Sequence, residues 1–159
     1  MVAVGEAAPG FELPGVDGRT GEFGSWSLEQ FLGRPVVVVF YPGDNSPVCR
    51  RQLAEYTEGI AEFERLDAQV LALSPQVPRS HAAFAERSGG FGFPLLSDTR
   101  KAVARDYGVL GLLDLYRRST FVVGPDGSVR YLHRYVGPGL GYRPVGELVA
   151  AVAEIAGGT

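Results

Sequence analysis

The sequence contains a single cysteine, Cys49, among its 159 residues. One thiol excludes an intramolecular disulfide and excludes zinc or iron–sulfur sites that need several cysteines. We therefore expect no metal and no other cofactor. Any redox chemistry of this chain has to use one sulfur atom.

Basic charge and long apolar runs are also scarce. The net charge is −3, Lys101 is the only lysine, and the arginines are scattered. This pattern gives no reason to expect a nucleic-acid partner, which requires clustered basic residues. The longest apolar run, residues 36–41, is far shorter than the roughly 20 residues that span a membrane. The first residues lack the basic start and apolar stretch of an export signal, so we expect a cytoplasmic protein with no membrane partner.

Turn residues and capping residues organise the start of the chain. No internal repeat or linker divides the sequence, so we expect one domain over residues 1–159. Glycine and proline in the first thirty residues predict a small N-terminal hairpin. Ser27 and Gln30 predict the capping box of a short helix, with Trp26 and Phe31 as its hydrophobic staple.

The apolar pattern predicts an α/β fold. Residues 35–41 form a continuous apolar segment, which is typical of a strand buried on both faces of a sheet. Apolar residues then recur at steps of three or four from Leu53 to Phe63, which predicts one amphipathic helix. The other predicted elements are strands at 69–73, 119–123 and 128–135, and helices near 80–87, 99–107 and 144–155. This order predicts a central mixed sheet flanked by helices.

Cys49 is predicted to lie in the first turn of a helix. Ser46 suits the N-cap and Pro47 suits the first helical position. The free N–H groups and the dipole at that end stabilise a thiolate relative to a thiol. Because Leu53 and Tyr56 share a helix face with Cys49, the sulfur is expected to face the sheet. Burial alone disfavours the thiolate, so a reactive Cys49 needs a nearby cation.

The segment Pro42-x-x-x-Ser46-x-x-Cys49 resembles the active-site motif of the peroxiredoxins, the AhpC/TSA family. Other segments resemble the subfamily of the bacterioferritin comigratory protein, also called the Q type, and its close relatives. These segments are Ser80-His81 with Phe84, residues 93–98, Tyr107-Gly108-Val109, and Arg118-Ser-Thr-Phe121. The resemblance covers about residues 5–155 and implies a thioredoxin-like fold.

The resemblance implies a thiol-dependent peroxidase that reduces hydrogen peroxide or organic hydroperoxides. Cys49 would be the peroxidatic cysteine that becomes a sulfenic acid. Arg118 would be the cation beside the sulfur, and Ser46 would hydrogen-bond to the thiolate or the peroxide. Pro42 would shield the pocket, and Gln52 would orient the arginine.

The sequence departs from many relatives in having Ala54 where they carry a resolving cysteine. This difference implies a 1-Cys mechanism in which an external thiol reduces the sulfenic acid. Thioredoxin, a glutaredoxin-like protein and a low-molecular-weight thiol are all possible reductants. Relatives include monomers and dimers, so we expect a monomer or a homodimer.

Two other functions stay open at this point. Ser46-x-x-Cys49 is spaced like Cys-x-x-Cys, which would suit a thioredoxin-like monothiol disulfide oxidoreductase. A redox-inert binding or chaperone-like module of the same fold is the third possibility. His81 lies on a predicted helix without an acidic or thiol partner at nearby spacing, so we expect a structural histidine.

Overall fold

Seven strands form one mixed sheet in the computed structural model, which describes residues 2–135 and 142–157. The strands are β1 (Glu12–Val16), β2 (Phe23–Ser27), β3 (Val36–Phe40), β4 (Gln69–Ser74), β5 (Leu95–Ser97), β6 (Ser119–Val123) and β7 (Val129–Arg134). The helices are α1 (Pro47–Glu58), α2 (Ile60–Arg65), α3 (Pro78–Arg87), α4 (Ala102–Tyr107) and α5 (Val145–Gly157). The predicted domain of residues 1–159 thus includes residues 1, 136–141, 158 and 159, which lie outside the described part.

The strand order across the sheet is β2-β1-β5-β4-β3-β6-β7. Strand β3 runs parallel to β4, and β4 runs parallel to β5. The remaining neighbours, β1 with β2 and β5, and β6 with β3 and β7, pair antiparallel. The predicted mixed sheet and the N-terminal hairpin are therefore confirmed.

Both faces of the sheet are buried, which explains why β3 is a continuous apolar segment. Val37 and Val39 face one core, which α1, α2, α3 and α5 cover with side chains such as Leu53. Val36 and Val38 face the other core, which α4 covers. Successive residues of a strand point to opposite faces, so a strand between two cores needs apolar residues throughout.

Two predicted helices differ in the structure, and one observed strand has no predicted counterpart. The helix predicted through residues 53–63 is two helices, because the chain breaks at Gly59. A Cβ atom at Gly59 would lie 2.7 Å from Cγ2 of Val145, so the absence of a side chain permits the close approach of α5. The short helix after Ser27 is a single 3-10 turn, although Ser27 and Gln30 do exchange the predicted capping-box hydrogen bonds. Strand β5 was not predicted.

Strand β5 has three residues, and its place in the sheet depends on partners distant in sequence. It pairs with β4 on one side and β1 on the other. The Asp98 carboxylate that follows it accepts hydrogen bonds from the backbone N–H groups of Val103 and Ala104 at the start of α4. In residues 2–135 and 142–157, no helix is long and apolar enough to cross a membrane.

Candidate active site

Cys49 lies in the first turn of α1, as the capping residues predict. The side-chain oxygen of Ser46 accepts a hydrogen bond from the backbone N–H of Cys49 at 3.3 Å, and Pro47 takes the first helical position. Cys49 has no exposed surface. Its helix face carries three other buried residues, Gln52, Leu53 and Tyr56, and all but Gln52 belong to the core beneath α1.

Arg118 supplies the cation that a buried thiolate needs. It precedes β6, and its Nη2 atom donates to the Sγ atom of Cys49 at 3.3 Å. The arginine is itself only 5% exposed. Because few water molecules can screen two groups buried together, their attraction is stronger than at the protein surface. The arrangement thus sets a positive charge directly against the sulfur.

A chain of hydrogen bonds fixes the guanidinium of Arg118. Its Nη1 atom donates to Oε1 of Gln52 at 2.6 Å, and Nε2 of Gln52 donates to the Tyr56 hydroxyl at 3.3 Å. The Tyr56 hydroxyl donates to the backbone oxygen of Arg143 at 2.8 Å. Burial raises the pKa of Tyr56 to about 12, so this hydroxyl keeps its proton at neutral pH.

The Nε donor of the Arg118 guanidinium has no partner among the residues that the structure describes. Nε of Arg118 is buried and makes no hydrogen bond within residues 2–135 and 142–157. An unsatisfied buried donor costs about 1–3 kcal/mol. A polar atom bound beside the sulfur could remove that cost.

The five residues singled out in the sequence are not all equally close to the sulfur. Cys49, Gln52 and Arg118 are joined by direct contacts, and Ser46 reaches Cys49 through its backbone N–H. Pro42 lies at the start of the same loop, where it is exposed to solvent.

A buried network beneath this loop was missed by the sequence analysis. His81 does have an acidic partner: its Nδ1 atom lies 2.8 Å from Oδ2 of Asp44, and both side chains are wholly buried. The Tyr41 hydroxyl donates to Oδ1 of Asp44 at 2.8 Å, and the Ser80 hydroxyl donates to Oδ2 at 2.7 Å. The expected structural role of His81 is consistent with this position, and its acidic partner comes from beyond the nearby spacing in which the sequence offered none. The two residues are 37 positions apart, so no local spacing could have shown the pair.

The surroundings of His81 place an acceptor at each of its ring nitrogens. Nδ1 faces the Asp44 carboxylate, and Nε2 lies 3.0 Å from the backbone oxygen of Leu96. Burial acts to raise the pKa of Asp44, but hydrogen bonds from His81, Ser80 and Tyr41 and the His81 charge together lower it, so the carboxylate is ionised. Both ring nitrogens therefore face acceptors, so the ring links Asp44 of the loop to the backbone of β5.

The same network holds the loop that precedes α1. The backbone N–H of Asp44 donates to Oε1 of Gln76 at 2.9 Å, and the backbone oxygen of Asp44 accepts from Nη2 of Arg87 at 2.6 Å. With its carboxylate and both backbone groups bonded, Asp44 fixes the chain two residues before the N-cap Ser46. The position of the Cys49 turn thus depends on β4 and α3 as well as on α1.

Comparisons with known proteins agree with this fold. The model of the AhpC/TSA family matches residues 4–132. A putative peroxiredoxin of Mycobacterium tuberculosis is 35% identical over 132 residues, which cover 79% of this chain and 80% of that protein. The reduced 2-Cys peroxiredoxin of Plasmodium vivax superposes with a TM-score of 0.88 at 27% identity, covering 98% of this chain and 97% of the other. The bacterioferritin comigratory protein of Xanthomonas campestris has a TM-score of 0.77 at 26% identity and covers 91% of both chains.

The fold and the family relationship define a thiol-dependent peroxidase of the peroxiredoxin class, with one cysteine. The chain belongs to the AhpC/TSA family. The expected thioredoxin-like fold and the resemblance to the subfamily of the bacterioferritin comigratory protein are confirmed.

Proposed function

We propose that this peroxiredoxin works by a 1-Cys mechanism with Cys49 as the peroxidatic residue. The Cys49 thiolate attacks the terminal oxygen of a hydroperoxide, the O–O bond breaks, and the departing alkoxide takes a proton to give an alcohol. Cys49 becomes a sulfenic acid, so the sulfur is oxidised by two electrons and the peroxide is reduced by two. The observation that carries the proposal is the 3.3 Å contact between Arg118 and the only sulfur of a cysteine in this chain.

Arg118 has two roles in this proposal. It stabilises the thiolate in the free enzyme, and it stabilises the negative charge that develops on the departing oxygen. Its unpartnered Nε atom is a donor that a peroxide oxygen can use, which supports binding of the substrate beside the sulfur. Gln52 acts as a positioning residue, because its contact with Nη1 leaves Nη2 directed at the sulfur.

Ser46 and Pro42 are assigned from the loop before α1. The Ser46 oxygen accepts from the Cys49 backbone, which leaves its hydroxyl proton for a thiolate or a peroxide oxygen. Pro42 has no backbone N–H, and as an exposed residue it limits access of water to the loop. These two roles have less structural support than that of Arg118, because neither side chain hydrogen-bonds to the sulfur in the described part of the chain.

The second half of the reaction requires thiols from outside the chain. One external thiol attacks the sulfenic acid, releases water and forms a mixed disulfide with Cys49. A second thiol attacks the mixed disulfide, which releases the external disulfide and restores Cys49. Because Cys49 has no exposed surface, the first turn of α1 has to open locally before a thiol reaches it.

The test is peroxide consumption with dithiothreitol as the external thiol. We expect turnover with hydrogen peroxide and with an alkyl hydroperoxide, and no turnover by the Cys49→Ser variant. Dimedone followed by mass spectrometry should label Cys49 after one equivalent of peroxide, and non-reducing electrophoresis should show no covalent dimer. A Cys49–Cys49 dimer formed during turnover would contradict the 1-Cys mechanism.

The same experiment separates the other two functions. A monothiol disulfide oxidoreductase would exchange with glutathione disulfide without consuming peroxide. A redox-inert module would resist dimedone labelling. Peroxide turnover that survives Cys49→Ser would overturn the assignment of Cys49.

A further inference from the structure

A groove of about 380 Å³ follows the outer face of α1, on the side opposite to the buried sulfur. Pockets that hold small molecules start at about 300 Å³, so the groove has the size of a small-molecule site. We call it the arginine groove. Its lining includes Ser46, Arg50, Arg51, Ala54, Phe84 and Arg87.

The arginine groove is positively charged. Arg50, Arg51 and Arg87 form no ion pair with any residue of the described ranges. The only acidic residue in the lining is Asp44, whose side chain is wholly buried and hydrogen-bonded to partners beneath the loop. The exposed charge in the groove is therefore cationic.

Arg87 is held in place as part of the groove. Its Nη2 atom donates to the backbone oxygen of Asp44 at 2.6 Å and to Oδ1 of Asn45 at 3.3 Å. Its guanidinium lies 5.2 Å from the ring centre of Phe84, so a cation–π contact adds to this orientation. A guanidinium has five N–H donors, so most of those on Arg87 remain available to a ligand.

The groove lies next to the turn that carries Cys49. Ala54 follows Arg50 by four positions and Arg51 by three, so both arginines lie beside it on the outer face of α1, whereas Cys49 lies on the buried face. The groove begins at Ser46, the N-cap of the same turn. The turn that has to open for a thiol to reach Cys49 therefore borders the groove.

We propose that the arginine groove binds the external reductant, and that this reductant is a low-molecular-weight thiol bearing a carboxylate or another anionic group. The inference rests on the 1-Cys function proposed above and names the class of its second substrate. The anionic group pairs with Arg50 and Arg51 while the thiol attacks the Cys49 sulfenic acid, releasing water and forming the mixed disulfide. The peroxide is not the ligand, because it reacts on the inner face of α1 beside Arg118.

The test compares three small thiols that share a two-carbon frame and differ in charge. They are 2-mercaptoethanesulfonate, which is anionic, 2-mercaptoethanol, which is neutral, and cysteamine, which is cationic. Cys49 is oxidised with one equivalent of hydrogen peroxide, and the rate constant for loss of the sulfenic acid is measured with each thiol. The variant-to-wild-type ratio for each thiol cancels the intrinsic reactivity of that thiol.

The informative variant is Arg50→Gln/Arg51→Gln, which removes two charges and leaves the loop-holding Arg87 intact. We expect its rate with 2-mercaptoethanesulfonate to fall about three- to tenfold, because two exposed ion pairs with the thiol would be lost. Its rate with 2-mercaptoethanol should stay within about twofold, and its rate with cysteamine should rise. The matched control is Arg100→Gln, an exposed arginine outside the groove, which should change none of the three rates.

Two results would overturn the inference while the 1-Cys function stands. One is an equal change with all three thiols, which would mean that the substitutions act on Cys49 rather than on thiol binding. The other is no change with any thiol. If peroxide forms no sulfenic acid at Cys49 in the wild type, the proposed function itself fails, and the inference fails with it.

Discussion

Replacing Asp44 with alanine tests the buried network that holds the active-site loop. In the native structure the Asp44 carboxylate accepts from Tyr41, Ser80 and His81 at 2.7–2.8 Å. Asp44→Ala removes this acceptor and leaves the three donors in place. The buried ring of His81 would then lose the partner of its Nδ1 atom.

The structure gives the magnitude of the loss. Tyr41 and His81 are wholly buried, so water cannot replace Asp44 at either donor without disturbing the core. Ser80 is half-buried, and water can reach it at little cost. Two unsatisfied buried donors cost about 1–3 kcal/mol each, and breaking a buried ion pair costs about 3–5 kcal/mol. We expect Asp44→Ala to lower the free energy of unfolding by about 3–5 kcal/mol at pH 7.

The pH dependence follows from the direction of the pKa shift. The pKa of Asp44 is below its ordinary value of 3.8 in the folded protein, because its hydrogen bonds and the His81 charge outweigh the opposing effect of burial. A carboxylate with a lowered folded pKa contributes stability above its unfolded pKa, and that stability is lost as the pH falls through the folded pKa. The difference between wild type and Asp44→Ala should therefore be full at pH 7 and smaller at pH 3.

Urea unfolding monitored by circular dichroism measures both quantities. Asp106→Ala is the matched control, because Asp106 is an exposed aspartate on α4. The control should stay within about 0.5 kcal/mol of the wild type. A loss of unfolding free energy below about 1 kcal/mol in Asp44→Ala would refute the reasoning, because one unsatisfied buried donor already costs about that much. A difference between Asp44→Ala and wild type that grows towards pH 3 would refute it as well.

Two further predictions concern the site itself. Arg118→Met should slow the oxidation of Cys49 by hydrogen peroxide about 100-fold in stopped-flow measurements, because removing one preorganised donor of developing charge costs that much. Ser46→Ala should lower the free energy of unfolding by about 1 kcal/mol through the lost N-cap, measured by urea unfolding.

Each of these predictions has a contrary outcome. The control for Arg118→Met is Arg117→Met, which changes the neighbouring exposed arginine. If Arg118→Met slows the oxidation of Cys49 by less than about fivefold, Arg118 does not take part in the reaction. Ser46→Ala with unchanged stability would mean that the side chain does not cap α1.

Local features of the active-site turn could be predicted from the sequence because they depend on neighbouring residues. Ser46 caps α1 and Pro47 follows it, so the placement of Cys49 in the first turn needed no distant information. The hairpin and the capping box of Ser27 are of the same kind, although the residues after Ser27 form only one 3-10 turn. Short sequence windows contain the physical causes of these structures.

Other features could not be predicted because their causes lie far away in the chain. The three residues of β5 are a strand only because β4 and β1 lie on either side. The break between α1 and α2 permits Val145 of α5 to pack against Gly59, 86 residues earlier. The spacing of the apolar residues from Leu53 to Phe63 does not depend on that contact, so the pattern predicted one continuous helix.

The sequence by itself determined that redox chemistry has one sulfur and that this sulfur lies at a helix start after a buried strand. It also showed that a reactive Cys49 needs a cation. Only the tertiary structure decided which groups surround the sulfur, because Arg118 comes from 69 residues away and Gln52 orients it. The structure likewise decided that Asp44 meets His81 beneath the loop and that three arginines line one groove. Burial and charge pairing depend on which distant segments meet, and folding alone brings those segments together.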